Sequence, residues 1–451
     1  MGMQGVVEGC VLTQDRSKSG YTRSKPLSIE RRVLLKEIDG LHGEVELIAW
    51  IVSCDRGCLV LRDSSGVRSL EVYGEPVDEL AKLPRETIVW IKGFLESSRL
   101  HVREYMVIHR PVEEPPIDYL GDIRDKDPVE LARHSPWYMR NPLWKDILWL
   151  QHYIMKYARE YLERHGFIEL LPPMISVVSD PGLRGASKLR TRFYDMEYEL
   201  TSSIIMYKQA SAAVFEKVYF MARNIRLEPP ENISTGRHLA EFTQLDLEWA
   251  YAGVDDAIRL AEGLLEYIGS KLVKHHSDLL ERLNTGFSGF KPPFPRISYD
   301  EALEIVGKLG YSVEWGRELS HEAETALAEY YGSPVWLTGF PVVSRGFYYL
   351  PDPSDPRYNL DFNLLLPMGY GEVIDGGTRE YRYMGLVRRI KMLGESLEKY
   401  SWFLDLARRG GIPPSTGFGL GIERLTRYIA GLKHIVLATP YPKLPGIAGT
   451  P

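Results

Sequence analysis

The spacing of apolar and polar positions changes character along the chain, and the changes divide it. From about residue 40 the apolar positions fall in short runs. Val45–Val52, Cys58–Arg62, Ser69–Tyr73, Thr87–Phe94 and Leu100–Val107 each have strand length, β-branched or aromatic content, and Gly, Ser or Pro punctuation between them. Five such strands predict a small closed β-barrel, the five-stranded oligonucleotide-binding (OB-type) barrel being the commonest; a packing module without a ligand is the plainer alternative. At Asn141-Pro142 the period becomes helical. Leu143, Ile147, Leu150, Ile154, Tyr157 and Tyr161 predict one long helix, closed by His165-Gly166. A strand, Phe167–Leu171, runs up to Pro172-Pro173. Strand-like segments at Lys217–Met221, Phe242–Tyr251, Val335–Phe340, Asn359–Leu366 and Gly371–Ile374 then interleave irregularly with helices near 254–273, 299–308, 320–331, 383–408 and 421–430. That order predicts an α+β domain on a mostly antiparallel sheet flanked by helices.

Outside these periods, residues 1–30 are polar and aperiodic and predict a loose arm. Three prolines and two acids over Pro111–Pro116 predict a stiff linker. The expected divisions are an arm at 1–30, a barrel at 31–110, a linker at 111–135 and the large domain at 136–451.

Composition narrows the function classes. With 451 residues, 44% apolar and 26% charged, the chain has globular values for two or three domains. Lys and Arg number 55 against 61 Asp and Glu, a net charge of −6, which argues against a broad basic nucleic-acid surface but leaves a local contact open. Cys10, Cys54 and Cys58 are too few for a disulfide framework, and Cys54 and Cys58 have no second Cys or His pair at zinc-ligand spacing. No run of about eighteen apolar residues occurs and Met1–Ser28 lacks a signal-peptide core, so a cytoplasmic protein without membrane contact is expected.

Three clusters carry candidate chemistry. In the stretch from Asn224 to Glu248, a strand, a loop and a returning strand would put Phe242, Gln244, Asp246 and Glu248 on one face, with Arg226 and His238 on the same hairpin. Such a face is a poor core and a good ligand floor. The second cluster, Glu372-Val-Ile-Asp375-Gly-Gly-Thr-Arg379, sets two carboxylates ahead of Gly-Gly, which suits Mg²⁺ held together with substrate phosphates. The third, Gly417-Phe-Gly-Leu-Gly421-Ile-Glu-Arg424, reads as a strand-to-helix turn where glycines admit a ligand and a helix N-terminus favours phosphate. Each alone has a bland reading as a solvated hairpin, an acidic turn or a tight turn. Together they supply what nucleotidyl transfer from ATP needs: cations for a polyphosphate, a metal, and an aromatic ring for a base.

The stretches Arg226-x-Glu228…Arg237-His238-Leu-Ala-Glu-Phe-Thr-Gln-Leu-Asp-Leu-Glu248 and Gly-x-Gly-Ile-Glu-Arg424 resemble motifs 2 and 3 of class II aminoacyl-tRNA synthetases of the aspartyl/asparaginyl group. Phe167-Ile-Glu-Leu-Leu-Pro-Pro173 resembles the dimer-forming motif 1. The resemblance runs from about residue 40 to Gly446. It implies ATP and Mg²⁺ as cofactors, a homodimer through the Pro173 region, and Arg226 and Arg424 as catalytic residues. It further implies Arg226 on the α-phosphate, His238 and Arg424 on the outer phosphates with Arg237 beside them, and Phe242 stacked on adenine opposite Arg424. Glu228 would read the adenine edge, Gly421 would line the site, and Glu372 and Asp375 would carry the metal, although the family usually has Ser at 375. Lys208, Gln244, Asp246 and Arg379 would hold the amino acid.

Two departures shape the expected reaction. Ile205 stands where tRNA-charging relatives have a substrate-contacting Gln. Cys58 and Ser69 stand where they read the anticodon with a stacking Phe and a hydrogen-bonding Gln, and residues 1–110 hold sixteen basic and sixteen acidic side chains. Two unpaired cations, Lys208 and Arg379, in one small pocket would demand an anion and so select aspartate. The large domain is similar to archaeal asparagine-synthetase-related paralogues, which typically lack the barrel this chain keeps. The expected reaction is therefore formation of aspartyl-adenylate with ammonia as acceptor. A tRNA ligase for aspartate or asparagine is the alternative, and an inactive regulatory paralogue the rival from another class.

Overall fold

The structure, a computed structural model, describes residues 32–55, 57–179 and 185–451. The arm expected at 1–30, with Cys10, lies outside them. The chain forms two compact units, Met1–Pro116 and Ile117–Pro451.

In the first unit five strands, β1 (His42–Asp55), β2 (Cys58–Arg62), β3 (Val67–Tyr73), β4 (Ile88–Glu96) and β5 (Arg99–His109), pair in the order β1-β2-β3-β5-β4, and β4 returns to β1 to close a barrel. Val45, Leu47, Ala49 and Ile51 alternate inward along β1 and meet Leu59, Leu61, Val89 and Ile91 in the interior.

The second unit is built on an eight-stranded sheet. Its strands are β6 (Ile168–Glu169), β7 (Lys217–Ile225), β8 (Glu241–Ala250), β9 (Arg296–Ser298), β10 (Val335–Thr338), β11 (Asp361–Leu366), β12 (Gly371–Thr378) and β13 (Ser415–Gly421), in the order β9-β10-β11-β12-β13-β8-β7-β6. The long helix α1 (Pro142–Arg164) begins where Asn141 accepts the Leu143 N–H at 2.9 Å and Pro142 needs no partner for its missing one. Its Ile147, Leu150, Ile154 and Leu162 pack under the sheet with α3 (Val254–His275) and α5 (Ile422–Ile429). α2 (Ile205–Phe215) and α4 (His321–Tyr331) complete the framework around the site.

The large sheet is mostly antiparallel, with parallel pairs only at its edges, β9/β10 and β6/β7, and β3 and β5 pair parallel at the barrel seam. Parallel neighbours need a crossover longer than a hairpin turn, and the intervening segments provide it. The stretch 111–135 is not all linker. Tyr119, Ile123 and Leu131 are buried in the core of the second unit, and Asn141 Nδ2 donates to the carbonyls of Tyr119 and Gly121 at 2.7 and 2.9 Å.

Candidate active site

The middle of the large sheet is a floor made by four strands in register. Asn363 on β11 pairs with Asp375 on β12, Asp375 with Gly419 on β13, and Gly419 with Asp246 on β8; in the neighbouring rows Gly417 faces Glu248 and Gly421 faces Gln244. The β13 segment read as a turn is thus a strand, with Phe418 and Leu420 in the core and its glycines turned to the opposite face. A Cβ at Gly417 would stand 2.1 Å from Glu248 Oε2, and one at Gly419 2.1 Å from Gln244 Nε2. Glycine is required there because polar side chains from β8 lean across it.

Residues three apart on a regular strand face opposite ways, so Glu372 and Asp375 should not share a side. A bulge in β12 resolves this: Leu364 pairs with Ile374 and Leu365 with Glu372, leaving Val373 extra. Val373 and Ile374 both enter the core while both acids reach the cleft.

Over this floor lies a cleft of about 350 Å³ lined by Lys208, Arg226, Glu228, Arg237, His238, Gln244, Asp246, Glu372, Asp375, Arg379 and Arg424. Phe242 and Gly421 line the recess that continues from it. One end is cationic. The Arg226 guanidinium lies 5.2 Å from the Phe242 ring centroid, Arg237 pairs with Glu324 of α4 at 2.9 Å, and Arg424 donates to the Glu372 carbonyl at 2.8 Å. His238 Nδ1 and Thr235 Oγ1 are 2.8 Å apart. Burial first, then Arg424, Arg237, His321 and Arg226, push the His238 pKa down to about 2, so the ring is neutral. Burial also holds the Arg424 pKa below the ordinary arginine value, with Glu372 opposing and Arg237 adding to it.

The other end is a network of paired charges. Lys208, in the first turn of α2, donates to Asp246 Oδ1 at 2.9 Å and to the Phe418 carbonyl at 3.3 Å, and stands 3.9 Å from Glu248. Arg379 pairs with Glu248 at 3.1 Å, and Ser415 donates to the same carboxylate at 2.7 Å. Burial works against the Arg379 charge, but Glu248 and Tyr349 outweigh it and its pKa stands above the ordinary value. Beyond it, Arg345 is fully buried, stacks 3.6 Å from the Phe340 centroid, and pairs with Asp375 at 2.6 Å, Asp361 at 3.3 Å and Glu318 at 3.5 Å. The Tyr349 hydroxyl donates to the other Asp375 oxygen.

A guanidinium and a phenol thus hold the two oxygens of Asp375. Glu372 stands nearer the cationic end, its Oε1 3.4 Å from Arg424 Nη1. Its Oε2 accepts from Asn363 Nδ2 at 2.5 Å, a contact that orients the carboxylate beside the cationic end, and Mg²⁺ commonly takes one carboxylate with substrate phosphates. Among the described residues no group of three His, Cys, Asp or Glu could hold a metal by itself.

Sequence reasoning missed Arg345, Tyr349, Glu318, Glu324 and Asn363. The alternation Asn359-Leu-Asp361-Phe-Asn363 was a usable signal, since it places polar groups on one face of an otherwise apolar strand. Arg345, in the irregular segment Ser344-Arg-Gly, carried none. In the barrel, Cys58 Sγ and Ser69 Oγ are hydrogen-bonded at 2.8 Å on the surface.

The family model for class II tRNA synthetases (D, K and N) matches residues 130–445. The asparagine–tRNA ligase of Pyrococcus abyssi is 34% identical over 91% of this chain and 96% of its own length, and that of Thermococcus gammatolerans 33% over 86% and 90%. The crystal structure of asparaginyl-tRNA synthetase from Pyrococcus horikoshii complexed with asparaginyl-adenylate matches with a TM-score of 0.83 and 32% identity, over 92% of this chain and 98% of that one. These likenesses span barrel and catalytic domain together, and they overturn the expected aspartate-plus-ammonia reaction in favour of the tRNA-ligase alternative. The pocket argument behind that expectation fails for a visible reason: Lys208 and Arg379 are not unpaired, each already facing a carboxylate. The chain is an ATP-dependent enzyme that belongs to the class II aminoacyl-tRNA synthetases of the aspartyl/asparaginyl type, closely related to archaeal asparaginyl-tRNA ligases.

Proposed function

We propose that the enzyme activates asparagine with ATP and transfers it to the 3′ end of a tRNA. The observation that carries the amino-acid choice is the pairing of Lys208 with Asp246 and of Arg379 with Glu248, which leaves the recess without an excess of positive charge for a side-chain carboxylate. Arg379 Nη1 and Asp246 Oδ2 are buried without a hydrogen-bond partner among the described residues. They suit a donor to the carboxamide oxygen and an acceptor for the α-ammonium group. The α-carboxylate attacks the α-phosphorus, the bond to the β-phosphate oxygen breaks, and pyrophosphate leaves; a ribose hydroxyl of the tRNA then attacks the acyl carbon and AMP leaves. Arg226 holds the α-phosphate, Phe242 and Arg424 enclose the adenine, Glu228 reads its edge, and His238 and Arg237 face the outer phosphates. Positioning and electrostatic stabilisation provide the rate. Mg²⁺ held at Glu372 would neutralise phosphate charge.

Charging assays with labelled asparagine and aspartate test the reading. Asparagine-dependent pyrophosphate–ATP exchange and asparaginyl-tRNA are expected; exchange with aspartate alone overturns it. In the barrel, Tyr73 and His101 stack at 4.8 Å and 3° with the Arg99 guanidinium 5.5 Å from the Tyr73 centroid, a platform suited to an unpaired base in place of the Cys58 and Ser69 positions. The homodimer is carried by Ile168, Leu171, Met174 and Val177, apolar and exposed around Pro173, with Leu171 92% accessible. Leu171→Glu is expected to sediment as a monomer.

A further inference from the structure

The pairing of the recess raises the question of what keeps a second carboxylate out of it. Asp246 and Asp375 lie in one ladder row with only Gly419 between them, so a substrate resting over Gly419 has a carboxylate on either side. The Asp246 charge is answered by Lys208 at 2.9 Å. Asp375 is answered by Arg345, but Arg345 is shared with Asp361 and Glu318. The Asp375 carboxylate cannot turn away from the cleft, because Arg345 holds one oxygen at 2.6 Å, the Tyr349 hydroxyl holds the other, and Arg345 is itself clamped on the Phe340 ring and by Asn363 at 3.0 Å. Tyr349 also ties this carboxylate to the substrate-facing arginine, its ring centroid lying 5.3 Å from the Arg379 guanidinium.

We infer that Asp375, fixed by Arg345 and Tyr349, is a specificity-determining residue that excludes aspartate by placing an immobile negative charge against the substrate's side chain. A carboxamide meets that charge with N–H donors, whereas a carboxylate would meet it as a like charge, and like charges at a protein surface cleft repel more strongly than in bulk solvent. The inference rests on the asparagine reading above and adds to it the residue that rejects the competitor. It also gives an acidic group at position 375 a role that a metal ligand's geometry does not.

The test is pyrophosphate–ATP exchange by the full-length enzyme with asparagine and with aspartate, for Asp375→Asn, Asp375→Ser and the charge-conserving Asp375→Glu. Both neutral variants are expected to lower the asparagine:aspartate ratio of kcat/KM at least tenfold, chiefly through a lower KM for aspartate, while the KM for ATP moves less than twofold. Asp375→Glu is expected to stay within threefold of the parent ratio. An unchanged ratio in the neutral variants, or equal loss with both amino acids, overturns the inference. Should neither neutral variant fold, Tyr349→Phe decides: it leaves the ion pair, frees one carboxylate oxygen, and is expected to relax the ratio two- to fivefold, an unchanged ratio being the contrary result. A parent enzyme that activates aspartate alone refutes the asparagine reading itself; a parent specific for asparagine with insensitive variants refutes only the assignment of Asp375.

Discussion

The two ends of one cleft handle charge in opposite ways. At the phosphate end the cations are crowded: Arg424 and His238 both have pKa values pushed down, by burial first and with neighbouring cations adding to it. At the amino-acid end the cations are satisfied: Arg379 and Arg345 are buried more deeply, yet the carboxylates beside them raise their pKa values. The difference matches what each end would receive in the proposed reaction. A polyphosphate brings its own counter-charge, so the site can hold cations whose repulsion is relieved on binding. A zwitterion with a neutral side chain brings none to spare, so compensation has to be built into the sheet. Residue type alone does not reveal which case applies, because Lys208 and Arg379 look like an anion pocket until Asp246 and Glu248 are seen beside them.

The contrast predicts opposite costs for removing a cation. Lys208→Met strands the buried Asp246 without its cation, Glu248 keeping Arg379 and Ser415, and should destabilise the fold by about 3–5 kcal/mol, read as a lower melting temperature. Adding Asp246→Asn should recover part of that loss; no recovery would mean that the pair is not coupled. Arg424→Met should do the reverse. Exchange activity should fall by about 10²–10³-fold, while the melting temperature of the ligand-free enzyme holds or rises, because a crowded cation has been removed. A large loss of stability in Arg424→Met would remove the distinction between the two ends.

A smaller effect comes from Glu423, which sits under the phosphate end, is fully buried, and accepts the Thr243 N–H at 3.0 and 2.9 Å with its two oxygens. Burial raises its pKa from 4.5 to about 7, with the Thr243 N–H opposing. The folded state therefore keeps a proton that the unfolded state releases. The resulting stability is fully present below about pH 4.5 and is lost as pH rises through about 7, a change of a few kcal/mol at most. Melting temperatures at pH 5.5 and 8 should differ less in Glu423→Gln than in the parent; an equal difference would assign the pH dependence elsewhere.

How far such features were legible depended on their range in sequence. The hairpin face Gln244, Asp246, Glu248 could be read because a strand's period of two is local, and α1 because its cap and apolar stripe are contiguous. The apolar pattern over 383–408 was read as one helix, but the chain breaks it into Tyr383–Met392 and Ser401–Arg408, with Gly394 between them at φ +71°. The shared side of Glu372 and Asp375 depends on a bulge that only pairing with β11 creates. The charge state of the amino-acid recess depends on partners far away in sequence, Lys208 with Asp246, Glu248 with Arg379, Arg345 with Asp375. No local pattern specifies which carboxylate reaches which cation, and this is where the substrate expectation went astray.

The smallest expected effect tests the phosphate end in its working state. In the ligand-free site His238 is neutral, since burial and its neighbours, chiefly Arg424 and Arg237, hold its pKa near 2, whereas in the unfolded chain it titrates near 6.5. Its folded pKa is depressed, so the stability it contributes is present above pH 6.5 and drains away as pH falls towards 2. A bound polyphosphate reverses the local field: its charge offsets Arg424, Arg237 and Arg226, and the imidazolium becomes affordable. Binding of ATP near pH 6 should then be coupled to proton uptake at His238, in addition to any taken up by the nucleotide. Calorimetry in two buffers of different ionisation enthalpy measures the protons taken up, and His238→Asn should take up up to one proton fewer than the parent. Equal uptake in both would show that the crowding at this end is not relieved by the phosphates, and that the two ends of the cleft differ less than their ligand-free charges imply.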